Sequence, residues 1–325
     1  MKKLTIMAML LVTSLCLSCK HTAVTRKTAS LRFDGVTSVK FSGEVWGYEE
    51  FAKKNDLELK IEPGSESTDP IKSVLSGADD FGCTSAEKFL VADEHGDDLV
   101  MVGVINQLSP TVFISKKEKK ILTPRDWVGK RVGVLPGVAT DSVYLSLLRK
   151  LDVTNSQFTE LKVPLDLETF IAGSYDVRPA LAYDEPVSLE LQHVPYNMIE
   201  PKDYGINYVG RVYFARRKFI NDNPELVQKF VNSMADGWNA SMARPEAAIA
   251  RLKEYDPGTE ITRDLASLKQ AKPYFVDGDG KMLTFNYKFW NDTTDELNEL
   301  GIVRHTAYQN FVDDSFINRY YAANK

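Results

Sequence analysis

Two rhythms of hydrophobic and polar positions alternate along most of this chain. Short apolar runs closed by polar turns alternate with stretches whose apolar residues recur every three or four positions, the patterns of strand and amphipathic helix. In the first third, strands are expected over residues 31–36, 57–62, 81–83 and 99–105. Helices are expected between them, over residues 43–54, 70–77 and 87–94. The first of these would turn Val45, Trp46, Tyr48 and Phe51 inward. Asp69 stands as an N-cap before Pro70, and proline suits the first helical position because its missing N–H is not needed there. Thr84 or Ser85 can cap the next helix in the same way. The stretch Gly77 to Gln107 therefore reads as a βαβ unit, and its strand–helix alternation continues upstream into an α/β layer with a mostly parallel sheet. Ligands of open α/β sheets bind outside the carboxyl ends of strands, which points to such turns.

A second α/β layer follows. Strands are expected over residues 111–114, 131–135, 158–163 and 180–183, with helices starting near Thr140 and spanning residues 165–172. Two similar lobes joined at strands make a hinge and a cleft. The last third is helical. A helix begins at Asn223-Pro224-Glu225, and Leu226, Phe230, Met234 and Trp238 recur on one side of it, so Trp238 reads as core. Pro245 opens another helix, and residues 285–300 a further one.

The N-terminus changes the picture. Lys2 and Lys3 precede an apolar run, residues 4–17, that is too short to span a bilayer and reads as an export signal. It ends in Ser18-Cys19, which resembles a bacterial lipobox. The resemblance implies cleavage before Cys19 and lipid attachment to its sulfur, although Cys16 stands where an aliphatic residue is usual. The formal net charge of −5, with no long basic run, argues against nucleic acid or anionic lipid surfaces as partners. Past the lipobox only Cys83 remains, and a lone cysteine in a strand reads as a small buried hydrophobe.

No catalytic constellation stands out. His21, His95, His193 and His305 share no motif, and zinc, redox, nucleophile-elbow and phosphate-loop signatures are missing. Asp277-Gly278-Asp279-Gly280 looks like the start of a calcium loop, but its twelfth position is Lys288 rather than glutamate, so it reads as a turn. No metal or cofactor is expected, and the chain reads as a binder rather than an enzyme.

The residues from Gly77 to Ser115, then Asp126-Trp127-Val128-Gly129-Lys130, Ala182 to Pro186, and Asn223 to Ile249 resemble bacterial ABC-transporter solute-binding proteins. The branch is the one grouped with taurine and alkanesulfonate binders and with pyrimidine-binding thiamine-precursor proteins. The resemblance implies an α/β periplasmic-binding-protein type II fold, with two lobes, a hinge and a central ligand cleft. On that reading residues 1–18 are the lipoprotein signal peptide and 19–30 a tether. Residues 31–108 begin lobe 1, 109–210 form lobe 2, and 211–325 complete lobe 1, with hinge crossings near 106–111 and 209–214. A monomer is assumed. Its partners would be a small-molecule ligand and the permease and ATPase subunits of an importer. The membrane would be touched only through the N-terminal lipid, on the periplasmic or extracellular side.

The expected ligand contacts lie in strand-end loops: Thr37, Ser38, Phe41, Ser67, Thr84, Ser85, Gln107, Ser109, Thr140, Tyr183 and Glu185. In the pyrimidine-binding branch a carboxylate before the motif's proline meets the amino-pyrimidine edge, and Glu185 matches that position. A thiamine pyrimidine precursor is the first expectation. Riboflavin binders share the run Gln107-Leu108-Ser109-Pro110-Thr111-Val112, which keeps a flavin open. A sulfonate or taurine ligand stays open as well, as does a sensor lobe that binds its ligand to signal.

Overall fold

The computed structural model describes residues 27–65, 67–96, 98–135, 140–164, 166–304 and 308–324. The signal segment, Cys19 and the tether as far as residue 26 lie outside the described residues, as does Gly137.

Strand β1 (Thr28–Arg32) leads through a 3-10 turn, Val39–Phe41, into a helix. That helix starts as α1 (Ser42–Trp46), passes through a π turn at Gly47–Phe51 and ends as α2 (Ala52–Lys54). β2 (Glu58–Glu62), α3 (Pro70–Ser76), β3 (Phe81–Ser85), α4 (Ala86–Glu94) and β4 (Leu99–Val104) complete the first run. The second run holds β5 (Thr111–Lys116), β6 (Arg131–Val134), α5 (Thr140–Lys150) and β7 (Thr159–Lys162). It continues with α6 (Glu168–Ile171), β8 (Val177–Leu181), α7 (Glu185–Leu191) and β9 (Tyr196–Ile199). Last come β10 (Arg211–Arg216), α8 (Arg217–Asp222), α9 (Pro224–Ala243), α10 (Pro245–Tyr255), α11 (Ile261–Phe275), α12 (Tyr287–Glu299) and α13 (Ser315–Ala323).

These strands form two sheets, in the orders β2-β1-β3-β10-β4 and β7-β6-β8-β5-β9. The local signals act as expected. The Asp69 carboxylate accepts from the N–H groups of Ile71 and Lys72, and Gly77 closes α3 with φ 80°. Ser85 Oγ accepts from the Lys88 N–H at the start of α4.

Three expectations are corrected. β1 lies earlier than residues 31–36, because Thr28 to Arg32 pair in parallel with Glu58 to Glu62, which leaves Asp34 to Ser38 as a loop. β8 likewise sits earlier than residues 180–183, so Tyr183 follows the strand and Glu185 opens α7 rather than ending a strand. The Gly77–Gln107 unit is split, because β10 inserts between β3 and β4 and runs antiparallel to both. β10 alternates as a strand buried on both faces must: Tyr213 and Ala215 join one core, Val212 and Phe214 the other.

The chain crosses between sheets in residues 105–110 and returns in 200–210. The crossings touch: Gly210 N–H donates to Asn106 O at 3.0 Å. A Cβ on Gly210 would stand 2.5 Å from Asn106 Cβ, so only glycine permits this approach. In the first half α9 buries Leu226, Phe230, Met234 and Trp238 as one stripe. It meets α1 and the π turn where Gly43, Gly47 and Gly237 let the backbones touch.

Candidate functional site

Arg211 opens β10 at the carboxyl edge of β3, paired with Ser85. Its side chain is about 10 % exposed and organises what surrounds it. Nη1 donates to Lys40 O at 2.9 Å and Nη2 to Cys83 Sγ at 3.2 Å. Nε lies 3.5 Å from Asp34 Oδ2, and Nη2 lies 3.6 Å from Glu44 Oε1. The guanidinium stands 4.4 Å from the centre of the Phe41 ring, a cation–π contact. Phe41 in turn stacks on Phe33, with centroids 4.0 Å apart. Lys40 Nζ is 3.6 Å from Asp34 Oδ1. From the second half, the buried Tyr183 faces this cluster with the Asn106 side chain beside its hydroxyl, and its ring packs on Tyr274 and Phe275.

The two carboxylates differ by environment. Burial opposes ionisation of Asp34, but Arg211, Lys40 and Lys88 together outweigh it and hold its pKa below the ordinary value. Glu44 is fully buried, and that burial pushes its pKa up to about 7; Arg211 and the Tyr213 hydroxyl offset only part of the rise. Neither neighbour closes a hydrogen bond of normal geometry to it. Burial likewise pushes the Cys83 thiol up to about 12, which leaves it a core thiol and no nucleophile.

A pH dependence follows from Glu44. A carboxyl with a raised folded pKa contributes stability that is complete below its ordinary value of 4.5 and is lost as pH rises towards about 7. Glu185, raised to about 7 by burial and Asp184, acts in the same direction. Asp34, Asp79 and Asp176 are depressed and lose their contributions only in more acidic solution. The melting temperature should therefore fall between pH 5 and pH 8. In Glu44→Gln that slope should be shallower by several degrees in thermal melts, and an unchanged slope would show that Glu44 does not titrate there.

The expected site residues divide. Phe41, Thr84, Ser85 and Tyr183 gather around Arg211, and Thr37 and Ser38 lie half-buried in the loop after β1. Ser67 is exposed and bonds to Ser65 Oγ at 3.1 Å. Gln107 points its Nε2 to Thr284 O at 2.8 Å, towards the segment before α12. Ser109 lines a hollow of about 10 Å³ at the crossings, room for roughly one water. Thr140 starts α5. Glu185 accepts from Arg178 Nη2 at 3.2 Å and from the Leu181 N–H at 2.8 Å. As binding residues, sequence reasoning missed Asp34, Glu44, Asn106 and Arg211, the last two falling only within the expected hinge crossings. The one available signal was a charge opening the apolar run Val212 to Ala215. Asp277 is a turn residue as expected: its Oδ1 accepts from the N–H groups of Asp279 and Lys281.

Two α/β sheets joined by two crossings, with a buried charge cluster where the halves meet, are the arrangement of the periplasmic-binding-protein fold. The aliphatic sulphonate binding protein SsuA from Escherichia coli superposes with a TM-score of 0.72 at 16 % identity, over 89 % of this chain and 93 % of that one. The chain belongs to the NMT1/THI5-like family, whose model matches residues 48–248. Among curated relatives, the riboflavin-binding protein RibY of Chloroflexus aurantiacus is 26 % identical over 190 residues, which is 56 % of this chain and 52 % of RibY. The 4-amino-5-hydroxymethyl-2-methylpyrimidine phosphate synthase of Legionella pneumophila is 22 % identical over 212 residues, 64 % of this chain and 66 % of the synthase. The chain thus spans about half of the first relative's length and just under two thirds of the second's. Among the described residues no helix is long and apolar enough to cross a membrane.

Proposed function

We propose that this protein is an extracytoplasmic solute-binding protein that closes on a small planar nitrogen heterocycle, a thiamine-type pyrimidine in the first reading. The observation that carries the reading is Asp34. Its side chain is 19 % exposed just after β1 and held ionised, and its Oδ1 has only the Lys40 ammonium nearby, at 3.6 Å, beyond hydrogen-bond length. A buried acceptor whose nearest donor stands too far for a hydrogen bond is under-satisfied, and a ring N–H or amino group would complete it. Tyr183 supplies an apolar wall from the second half, while Phe41, held between Phe33 and Arg211, fixes the guanidinium beside Asp34. Glu185 is the weaker anchor, because Arg178 and the Leu181 N–H already occupy its oxygens. A simple alkanesulfonate has no N–H to offer Asp34 and would meet its charge, whereas taurine could offer its ammonium. Delivery to permease and ATPase subunits, from a lipid anchor at Cys19, completes the proposal.

A flavin is the second reading, favoured by the similarity to RibY; an isoalloxazine also carries a ring N–H. The test is calorimetric titration of a thiamine pyrimidine, riboflavin, taurine and an alkanesulfonate. Asp34→Asn should weaken heterocycle binding about ten- to hundredfold, the loss of a charged hydrogen bond of about 1.5–3 kcal/mol. An unchanged affinity would remove Asp34 from the site, and binding of a sulfonate alone would overturn the ligand class.

A further inference from the structure

Asn106 stands two residues past β4, where the two crossings meet. Its backbone is held on both sides: its N–H donates to Arg211 O at 3.2 Å, and its carbonyl accepts from the Gly210 N–H at 3.0 Å. The bare backbone of Gly210 lies against the Asn106 side chain, so close that a Cβ there would stand 3.3 Å from Asn106 Cγ. The amide has little room to turn away. It lies beside the Tyr183 hydroxyl, which burial keeps protonated. Asn106 is only 1 % exposed, yet its Nδ2 has no acceptor in hydrogen-bond geometry.

Buried polar groups without a partner are few in folded proteins, and each calls for a reason. Among the described residues four other buried side-chain nitrogens share this state, those of Trp127, Asn197, Arg211 and Trp290. Trp127 and Trp290 are packed among rings, against Phe113 and Phe311. Asn197 belongs to β9 at the edge of its sheet. Arg211 Nε is 3.5 Å from Asp34 and in charge contact with it. Asn106 alone lies where the crossings, Tyr183 and the Arg211 cluster come together.

Arg211 links this donor to Asp34. Its carbonyl accepts from the Asn106 N–H while its guanidinium lies against Asp34, so an unpaired donor and an under-satisfied acceptor flank one residue. We propose that Asn106 is a specificity-determining residue: its Nδ2 donates to a ring nitrogen or carbonyl oxygen of the solute, while Asp34 takes the solute's N–H. The assignment rests on the heterocycle reading above and narrows it, because the solute must carry an acceptor as well as a donor. An amino-pyrimidine does, with a ring nitrogen beside its amino group, and so does an isoalloxazine, with carbonyls beside its N–H. An aromatic amine without ring nitrogens offers the donor alone. Burial makes the discrimination large, since such a solute leaves Nδ2 with neither protein nor water to accept its hydrogens.

The test is calorimetric titration of two compounds. One is 4-amino-5-hydroxymethyl-2-methylpyrimidine; the other is the same molecule with both ring nitrogens replaced by C–H, which keeps the amino group for Asp34. The unaltered protein should bind the pyrimidine at least about tenfold more tightly. Asn106→Leu, close to asparagine in size but without a donor, should weaken the pyrimidine by about tenfold and change the carbon analogue by less than about twofold. Riboflavin should lose about tenfold in the same variant. A role confined to holding the crossings would weaken the pyrimidine and its analogue alike, and that result would overturn the inference. If thermal melting shows that Asn106→Leu does not fold, the unaltered protein decides alone. Equal affinity for the two compounds then overturns the inference and leaves the heterocycle reading standing. Failure of both the pyrimidine and riboflavin to bind would overturn that reading, and the inference with it.

Discussion

Arg211→Met is expected to lower the stability of the protein by about 3–5 kcal/mol, the cost of leaving buried charge without its partner. Among the described residues the guanidinium is the one cation in contact range of both Asp34 and Glu44, and it also bonds Lys40 O and Cys83 Sγ. Methionine fills similar volume but satisfies none of these groups. The loss should fall towards the lower end because Glu44, with a pKa already near 7, takes up a proton when the cation is gone. The double variant Arg211→Met with Glu44→Gln should accordingly lose less than the sum of the two single losses, since the residues are in contact. Urea unfolding with an unchanged m-value measures all three. Additive losses would mean that Glu44 and Arg211 do not share one electrostatic unit.

The second large effect is set by backbone contact. Gly237→Ala should destabilise by about 3 kcal/mol, at the upper end of what overpacking costs. In an ordinary helix interior the same change would stabilise by about 1 kcal/mol, because alanine is the better helix former. Here the new Cβ would lie 2.2 Å from Gly43 O and 2.6 Å from Gly47 N, and neither atom can turn aside as a side chain could. α9 must move away from α1. That displaces Trp238, whose Nε1 donates to Tyr213 Oη at 3.0 Å directly beneath the Arg211 cluster. The melting temperature should fall by several degrees, and the affinity for whichever solute the titrations identify should fall with it. A melting temperature that rises would show that the crossing relaxes freely.

Much of the fold is legible in the sequence because its signals are local. Asp69 before Pro70 marks a helix start in any context, since the cap and the missing N–H act within a single turn. Leu226, Phe230, Met234 and Trp238 mark a buried stripe because helical geometry alone places them together. The succession of strands and helices in two runs, and with it the α/β class, follows from signals of this kind, while the family rests on the resemblance of whole sequence runs.

The tertiary structure alone decided the rest, because it depends on partners distant in sequence. Nothing in residues 77–107 announces that β10 will separate β3 from β4; strand order is set by pairing across the sheet. Glu185 reads as a free carboxylate before a proline, and only the fold brings Arg178 to it. Asp34 and Arg211 look like ordinary surface charges until a parallel register ends β1 early and an antiparallel one sets Arg211 at its mouth. The sequence by itself determined many of the elements and the class of protein. Which charges face the cleft was decided by long-range register, because a side chain's chemistry is local while its neighbours are not.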